Sequence, residues 1–467
     1  FLHFSQSNCL HFIFIRNIIS KVKKKVIEIM NSLIILTALI LLSLVVVVVF
    51  KPTFTVKNHT IESFWVVALV GAFLLVVFGF ISWDEIWVGM TKNKAINPFF
   101  ILILFFSMTL LSIVLDELGF FQKLASYAME KAKGEQMKMF FYLYIITSVL
   151  TVFTSNDIII LTFTPFICYF AKYAKINPIP YLIAEFVAAN SWSMMLIIGN
   201  PTNIYIASFY QIDFFSYLKI MFLPTIVTSV SLMILLLVIF HKPLEKEIDH
   251  SNDSVLNQID VPLKNKTLTI IALIHLGLCT LLLSIASTID WPMWLISLLF
   301  ALSMVLVLFV YYLFNRKENY LFKVLKRLPF SLIPFVLSMF ILVLTLNKYA
   351  ITSNIAHLFA GHNAVYSYGI TSFLSANLMN NIPMSVLFSD VIAFSDSSSK
   401  LGAIYASIIG SNLGAFFTPI GALAGVMWMQ ILKKEKISLS FTSFIHYGMM
   451  LSIPALLIAL TVLFLVL

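Results

Sequence analysis

The stretch VLTVFTSNDIIILTFTP (149–165) sets four polar residues, Thr154-Ser155-Asn156-Asp157, in the middle of an apolar run. Backbone leaves helical form at membrane depth only where it is buried in protein or lines a cavity. The run 138–171 therefore reads as a hairpin that enters the membrane and turns back at this tetrad. A second stretch, FLSANLMNNIPMSVLFSDVI (373–392), repeats the pattern. It makes 358–395 a second hairpin, with its tip at Asn377 to Pro383 and Asn380-Asn381-Ile382-Pro383 at the centre.

The rest of the chain agrees with a bilayer. Of 467 residues, 60% are hydrophobic and 11% are charged, and the mean hydropathy is +0.99. A soluble domain carries roughly 25% charged residues, so the composition excludes a soluble enzyme, a disordered chain and a nucleic-acid binder. A crossing helix needs about 20 apolar residues. Further runs of that kind lie at 31–50, 60–82, 98–116, 181–210, 216–240, 267–286, 291–313, 330–348, 400–430 and 443–466. If residue 31 starts outside, the inside loops hold twenty Lys and Arg and the outside ones five, as the positive-inside rule requires. The net charge of +9 thus belongs to loops at a membrane face.

Met30 opens a clean apolar run, so residues 1–30 read as a leader outside the fold, with translation expected to start at Met30. A signal peptide is the rival reading, because Lys21 to Lys25 precede an apolar run. Cys9, Cys168 and Cys279 are too few and too scattered for a disulfide framework or a metal site, and Cys168 and Cys279 are expected in the core.

The halves echo each other. Segment 188–206, AANSWSMMLIIGNPTNIYI, matches 410–428, GSNLGAFFTPIGALAGVMW. Asn190 pairs with Asn412, and Gly199 with Gly421, at one offset. Leu115-Asp116-Glu117 before the first hairpin corresponds to Leu346-Asn347-Lys348 before the second. The expected fold is an all-α polytopic membrane protein of two inverted repeats, 31–240 and 267–467. Each repeat has five transmembrane helices and one re-entrant hairpin, and residues 241–266 link them. Inverted repeats with broken helices at the midplane are the pattern of secondary transporters.

The breaks carry the candidate chemistry. Asp157 is the sharpest residue, since an ionisable group in a membrane segment marks function by default. It reads as a proton carrier or cation ligand, or as the N-terminal cap of the helix beginning at Ile158. Ser155 and Asn156 stand beside it. Gly199-Asn200-Pro201-Thr202-Asn203 breaks the run 181–210, because Gly and Pro together interrupt a helix; the freed amides and carbonyls join Asn200, Thr202 and Asn203 as binding groups. The second half supplies Asn380, Asn381, Thr418 and Pro419. Glu185 is either a second proton site or an interface residue paired with Lys175. Asp116 and Glu117 read as a helix end at the membrane face. No P-loop, HExxH motif or nucleophile–base pair is present in the sequence, so no enzyme, ATP hydrolysis or cofactor is expected.

These motifs resemble one family. SIVLDELGFFQKLA (112–125), FTSNDIIILTFTP (153–165), ANLMNNIP (376–383) and GSNLGAFFTPIGALAGVMW (410–428) are similar to the arsenite/antimonite efflux permeases. That family belongs to the ion transporter superfamily, with the divalent anion–sodium symporters and the D-type sodium–proton antiporters. The GNPTN break and the Ser-Asn tip look more like the symporter branch. The resemblance implies a solute held by Ser155, Asn156, Asn200, Thr202, Asn203, Asn380, Asn381, Thr418 and Pro419, with Asp157 coupling export to proton entry. Its alternatives are a sodium-coupled di- or tricarboxylate or inorganic-anion symporter and a sodium–proton antiporter. Implied partners are a small anion or neutral oxyacid, H+ or Na+, the lipid bilayer of the plasma membrane, a separate ATPase subunit and a second copy of the chain.

Overall fold

The computed structural model describes residues 28–245 and 262–467, apart from 49, 52, 57, 58, 92–96, 133, 134, 287 and 317. Most of the expected leader and of the 241–266 linker lies outside the described residues.

The first half begins with α1 (Glu28–Val48) and a short hairpin of β1 (Thr53–Val56) and β2 (His59–Glu62), paired antiparallel with Thr53 opposite Glu62. Then come α2 (Ser63–Val77), α3 (Trp83–Thr91), α4 (Pro98–Glu117) and α5 (Phe120–Ala132). The first hairpin is α6 (Gln136–Phe153) and α7 (Asn156–Tyr173). The broken helix follows as α8 (Ile179–Trp192), a 3-10 turn (Ile197–Gly199) and α9 (Pro201–Phe209), and α10 (Phe214–Leu244) closes the half. The second half holds α11 (Lys266–Ser284), α12 (Met293–Phe314), α13 (Tyr320–Arg327), α14 (Leu332–Lys348) and α15 (Ile351–His357). Its hairpin is α16 (Ala364–Met379) and α17 (Asn381–Ala393), its broken helix is α18 (Ser397–Gly414) and α19 (Leu423–Lys434), and α20 (Phe441–Val466) ends the chain.

The fold is nearly all helical, and eight described helices are long and apolar enough to cross a membrane. The β-hairpin departs from the expected run at 60–82: its first residues belong to β2, and α2 is only 15 residues long. Helix starts are set by local chemistry. Asn97 accepts from Phe99 N at 2.9 Å with Pro98 at the first helical position, and Asp213, Asn265 and Asn363 cap α10, α11 and α16 in the same way; each satisfies an otherwise orphaned amide.

Burial separates inner from outer helices. In α4, 78% of the crossing window is buried, against 28% in α12. Val238, Leu281 and Leu306 stand exposed on such outer faces, where apolar side chains suit lipid. Lipid supplies no hydrophobic drive between helices, so close packing and polar contacts must hold them. Where α16 crosses α18, a Cβ on Gly410 would sit 2.5 Å from Gly369 O, so only glycine allows that approach.

The packing is reciprocal. Helix α4 lies on α12, and α14 on α2; α7 of the first hairpin lies on α19, and α17 of the second on α9. Ion pairs hold the ends of α4 and α14. Asp116, only 3% exposed, binds the Arg327 guanidinium and accepts from Gln122 Nε2 at 3.0 Å. Glu117 pairs with Arg327 at 3.2 Å and with Lys264 at 3.3 Å. Asp116 and Glu117 are the last two residues of α4, the expected helix end, and there Asp116 is also a buried clamp to the second half. At the end of α14 the signs invert: Lys348 pairs with Glu85 of α3 at 2.7 Å.

Candidate functional site

The first hairpin turns at Thr154 and Ser155, both extended; the Ser155 side chain does not cap α7. Thr154 Oγ1 instead donates back to Leu150 O at 2.7 Å. Asn156 Nδ2 donates to Asn190 Oδ1 at 3.1 Å, and Asn190 Nδ2 donates to Phe186 O at 2.8 Å, which ties the tip to the broken helix α8. At the second tip Asn380 has φ 75 and ψ 153, a region costly for any residue but glycine. Its side chain compensates: Nδ2 donates to Ile420 O at 3.1 Å and Oδ1 accepts from Ile382 N at 3.3 Å. Asn381 N donates to Gly421 O at 3.0 Å. Each tip is thus held by the break of its own half.

At the first break, Asn200 Oδ1 accepts from Thr202 N at 3.1 Å and from its hydroxyl at 3.0 Å. Asn203 Nδ2 donates to Ser193 O at 2.8 Å. At the second break, Thr418 donates to Asn377 Oδ1 through N at 3.1 Å and through its hydroxyl at 2.6 Å. The Pro419 carbonyl lies under Gly425, 2.6 Å from where a Cβ would stand.

Asn412 joins the halves. Its Oδ1 accepts from Asn200 Nδ2 at 2.8 Å and from Ser193 Oγ at 2.9 Å. Its Nδ2 donates to Asn203 Oδ1 at 2.7 Å and to Ile408 O at 2.8 Å. Asn412 and Asn190, the pair expected from the repeat, each bond the carbonyl four residues back, but Asn190 faces its own hairpin while Asn412 faces the opposite half.

A cavity of about 880 Å³ lies beside the first hairpin tip. It is lined by the start of α7, by α19 from Leu423 to Lys434, by the β-hairpin with Glu62, by α2 and α4, and by the segment from Lys326 into α14. Of the expected site residues, Ser155 and Asp157 line it; Asn156, Asn200, Thr202, Asn203, Asn380, Asn381, Thr418, Pro419 and Glu185 do not. Asp157 has no ion pair among the described residues. The exposed Lys326 and Lys434 share the lining with Arg327, so the cavity opens toward a cationic face, the one assigned to the inside by the Lys/Arg bias. Glu185 is 1% exposed. Both of its oxygens face the Thr164 hydroxyl, at 3.0 and 3.1 Å, and the expected alternative of a pair with Lys175 is not formed. Among the described residues no group of His, Cys, Asp or Glu could hold a metal ion. The sequence marked Asn377 as the start of the second tip and Asn412 as part of the repeat without a partner for either, and Thr164 was not singled out.

Broken helices and paired hairpins inside a multi-pass helical bundle, with a cavity beside the first hairpin tip, define a membrane transporter. Residues 60–410 match the citrate transporter family (CitMHS), and the chain belongs to that family. It is 26% identical over 372 residues to the arsenical pump membrane protein of Escherichia coli (strain K12), covering 77% of this chain and 84% of that one. It is 22% identical over 431 residues to a 46 kDa membrane protein of Mycobacterium leprae (strain TN), covering 90% and 97%. The fold is similar to the Alcanivorax borkumensis YdaH transporter, with a TM-score of 0.54 at 12% identity over 93% of this chain and 97% of that one.

Proposed function

We propose that this chain is a proton-coupled secondary transporter of the plasma membrane that exports arsenite, antimonite or a similar small inorganic solute. The observation that carries the reading is Asp157: a carboxyl at a hairpin tip, beside Ser155, on the wall of a large cavity and without an ion-pair partner among the described residues. A lone carboxylate in such a place has to take up a proton or a cation to be neutral. Neutral trihydroxyarsenic needs hydrogen-bond partners and no counter-charge, which suits hydroxyls and amides. Glu185, buried with a hydroxyl as its partner, is a candidate second coupling site. The amides at the breaks act in this reading by holding the tips in place, and they reach solute only when the helices move.

The reciprocal packing of α7 on α19 and of α17 on α9 supports two inverted repeats, 31–240 and 267–467, with 241–266 as the link. One specific observation favours a second reading. Lys326 and Lys434 at the cavity, with the GNPTN break, suit a sodium-coupled symporter of a di- or tricarboxylate.

The test is arsenite uptake into everted membrane vesicles, with and without a proton gradient, beside Asp157→Asn. Gradient-driven uptake that the substitution abolishes is the expected result. Uptake of citrate driven by sodium, with none of arsenite, selects the second reading.

A further inference from the structure

We propose that the cavity beside the first hairpin tip holds an anionic phospholipid of the inner leaflet, its phosphate between Lys326 and Lys434 and an acyl chain along α19. The inference goes beyond the transport reading and does not depend on which solute is carried.

The cavity measures about 880 Å³. Trihydroxyarsenic has four heavy atoms, and at roughly 30 Å³ for each water-sized group it needs on the order of 100 Å³. The volume is several times too large for such a solute, and its walls are of the wrong kind. Leu423, Val426, Met427, Gln430, Ile431 and Lys434 line it at spacings of three and four, which is one face of α19. That face is apolar except for Gln430 and ends in a cation. The segment after α13 has the same make-up: Leu328, Phe330 and Leu332 line the cavity beside Lys326.

The depth fits one leaflet. From Leu423 to Lys434 the helix rises about 16 Å, close to half of the roughly 30 Å hydrocarbon core. Lys434 stands at the face assigned to the inside by the Lys/Arg bias, so the stripe runs at the level of the inner-leaflet chains. Phe330, 54% exposed, gives the mouth an apolar lip. Lys326 and Lys434 are exposed and in no ion pair among the described residues, whereas Arg327 is committed to Asp116 and Glu117. Two uncommitted ammonium groups above an apolar slot match a lipid phosphate with its chain, since both charge attraction and apolar burial then contribute. A small hydrophilic anion would satisfy the lysines and leave the stripe wet. A zwitterionic lipid would fill the stripe and bring its own cation to the lysines. Ser155 and Asp157 line the same volume, so a seated chain and a solute compete for the way to the hairpin tip.

The experiment uses the purified full-length chain in detergent. Thermal stability is titrated with dioleoyl phosphatidylglycerol, dioleoyl phosphatidylcholine, glycerol 3-phosphate and citrate. One variant combines Lys326→Gln with Lys434→Gln. Its control combines Lys242→Gln with Lys266→Gln, which removes the same charge from exposed sites on the same face, outside the cavity lining. A third, Val426→Trp, obstructs the stripe and keeps both lysines. Phosphatidylglycerol is expected to stabilise wild type at about tenfold lower concentration than phosphatidylcholine. The first pair should lose that preference and the control pair keep it. Val426→Trp should weaken the phosphatidylglycerol effect at least about threefold, and the two chainless anions should give no shift. If Val426→Trp does not fold, Val426→Phe carries the same expectation. Equal stabilisation by the two lipids, an equal loss in the control pair, or an unchanged phosphatidylglycerol effect in either cavity variant overturns the inference. Stabilisation by glycerol 3-phosphate or citrate that the first pair abolishes also overturns it; with citrate, the two cations then belong to the solute of the symporter reading.

Discussion

The carboxamide of Asn412 in α18 meets that of Asn203 in α9, its Nδ2 donating to Oδ1 at 2.7 Å. Residues 209 apart in sequence thus hold the broken helices of both halves together in a fully buried site. Asn412→Leu keeps the volume and removes all four bonds. It strands Asn203 Oδ1 and Asn200 Nδ2, each a buried polar atom worth about 1–3 kcal/mol when unpaired. The expected loss is about 2–5 kcal/mol, read as a lower Tm in detergent. Asn412→Asp should also lose stability, because it removes the donor and turns an acceptor toward Asn203 Oδ1 and Ile408 O. A Tm unchanged in both would mean that the network does not hold the breaks together.

The two clamps should differ in strength. Arg327→Ala leaves Asp116 buried with Gln122 as its partner. Breaking a fully buried pair costs about 3–5 kcal/mol, but the Arg327 side chain is 38% exposed, which lowers the expectation to about 1–3 kcal/mol. Lys348→Ala breaks a pair exposed on both sides, worth about 0–1 kcal/mol. The Lys348 ammonium holds the Glu85 carboxyl below its usual range. That small contribution is therefore present at neutral pH and fades as the pH falls through the folded-state value of Glu85. Denaturation midpoints of the two variants across pH measure both statements, and equal losses at neutral pH would refute the ranking.

The breaks were legible in the sequence because Asn, Asp, Pro and Gly inside apolar runs have no place in a plain crossing. Their partners were not. Asn200 finds Asn412 at a separation of 212, and Asp116 finds Arg327 at 211, and no local period encodes such pairings. The expectation that all the break residues line one site overlooked their demand on one another: amides that satisfy each other are not free to face a cavity. The β-hairpin was hidden because β2 runs directly into α2, and the joined stretch has the length of a crossing.

Gly199 and Gly277 should respond oppositely to alanine. A Cβ on Gly199 would stand 2.4 Å from Ser193 O and 2.9 Å from its Cα, and backbone cannot yield there. The cost of such overpacking is about 1–3 kcal/mol or more, and Asn203, which bonds that same carbonyl, would move with it. Gly421 is held as tightly against Gly414 O, at 2.3 Å. Gly277 meets nothing within 4 Å inside α11, so Gly277→Ala should gain about 0.5–1 kcal/mol from helix propensity alone. Tm values of the two variants check this directly, and a stable Gly199→Ala would mean that the 3-10 turn is free to open.

Asp157 and Glu185, the two carboxyls proposed to couple transport, occupy an open and a closed position. Asp157 faces the cavity, so a proton taken up there would exchange with solvent in the conformation described. Glu185 is sealed against Thr164, and a proton on it would exchange only when the bundle around α7 and α8 rearranges. If Asp157 is the carrier, Asp157→Asn should abolish gradient-driven uptake and keep exchange of solute at equal pH on both sides, because a neutral amide still permits the loaded transition. Glu185→Gln, which keeps the shape and the bond to Thr164, should then retain gradient-driven uptake within about threefold, less than a single pairwise interaction supplies. The reverse pattern, with coupling lost in Glu185→Gln and kept in Asp157→Asn, would move the proton to the buried site. Asp157 would then act as a fixed charge at the hairpin tip, and the cavity would have to tolerate an ionised carboxylate beside its solute.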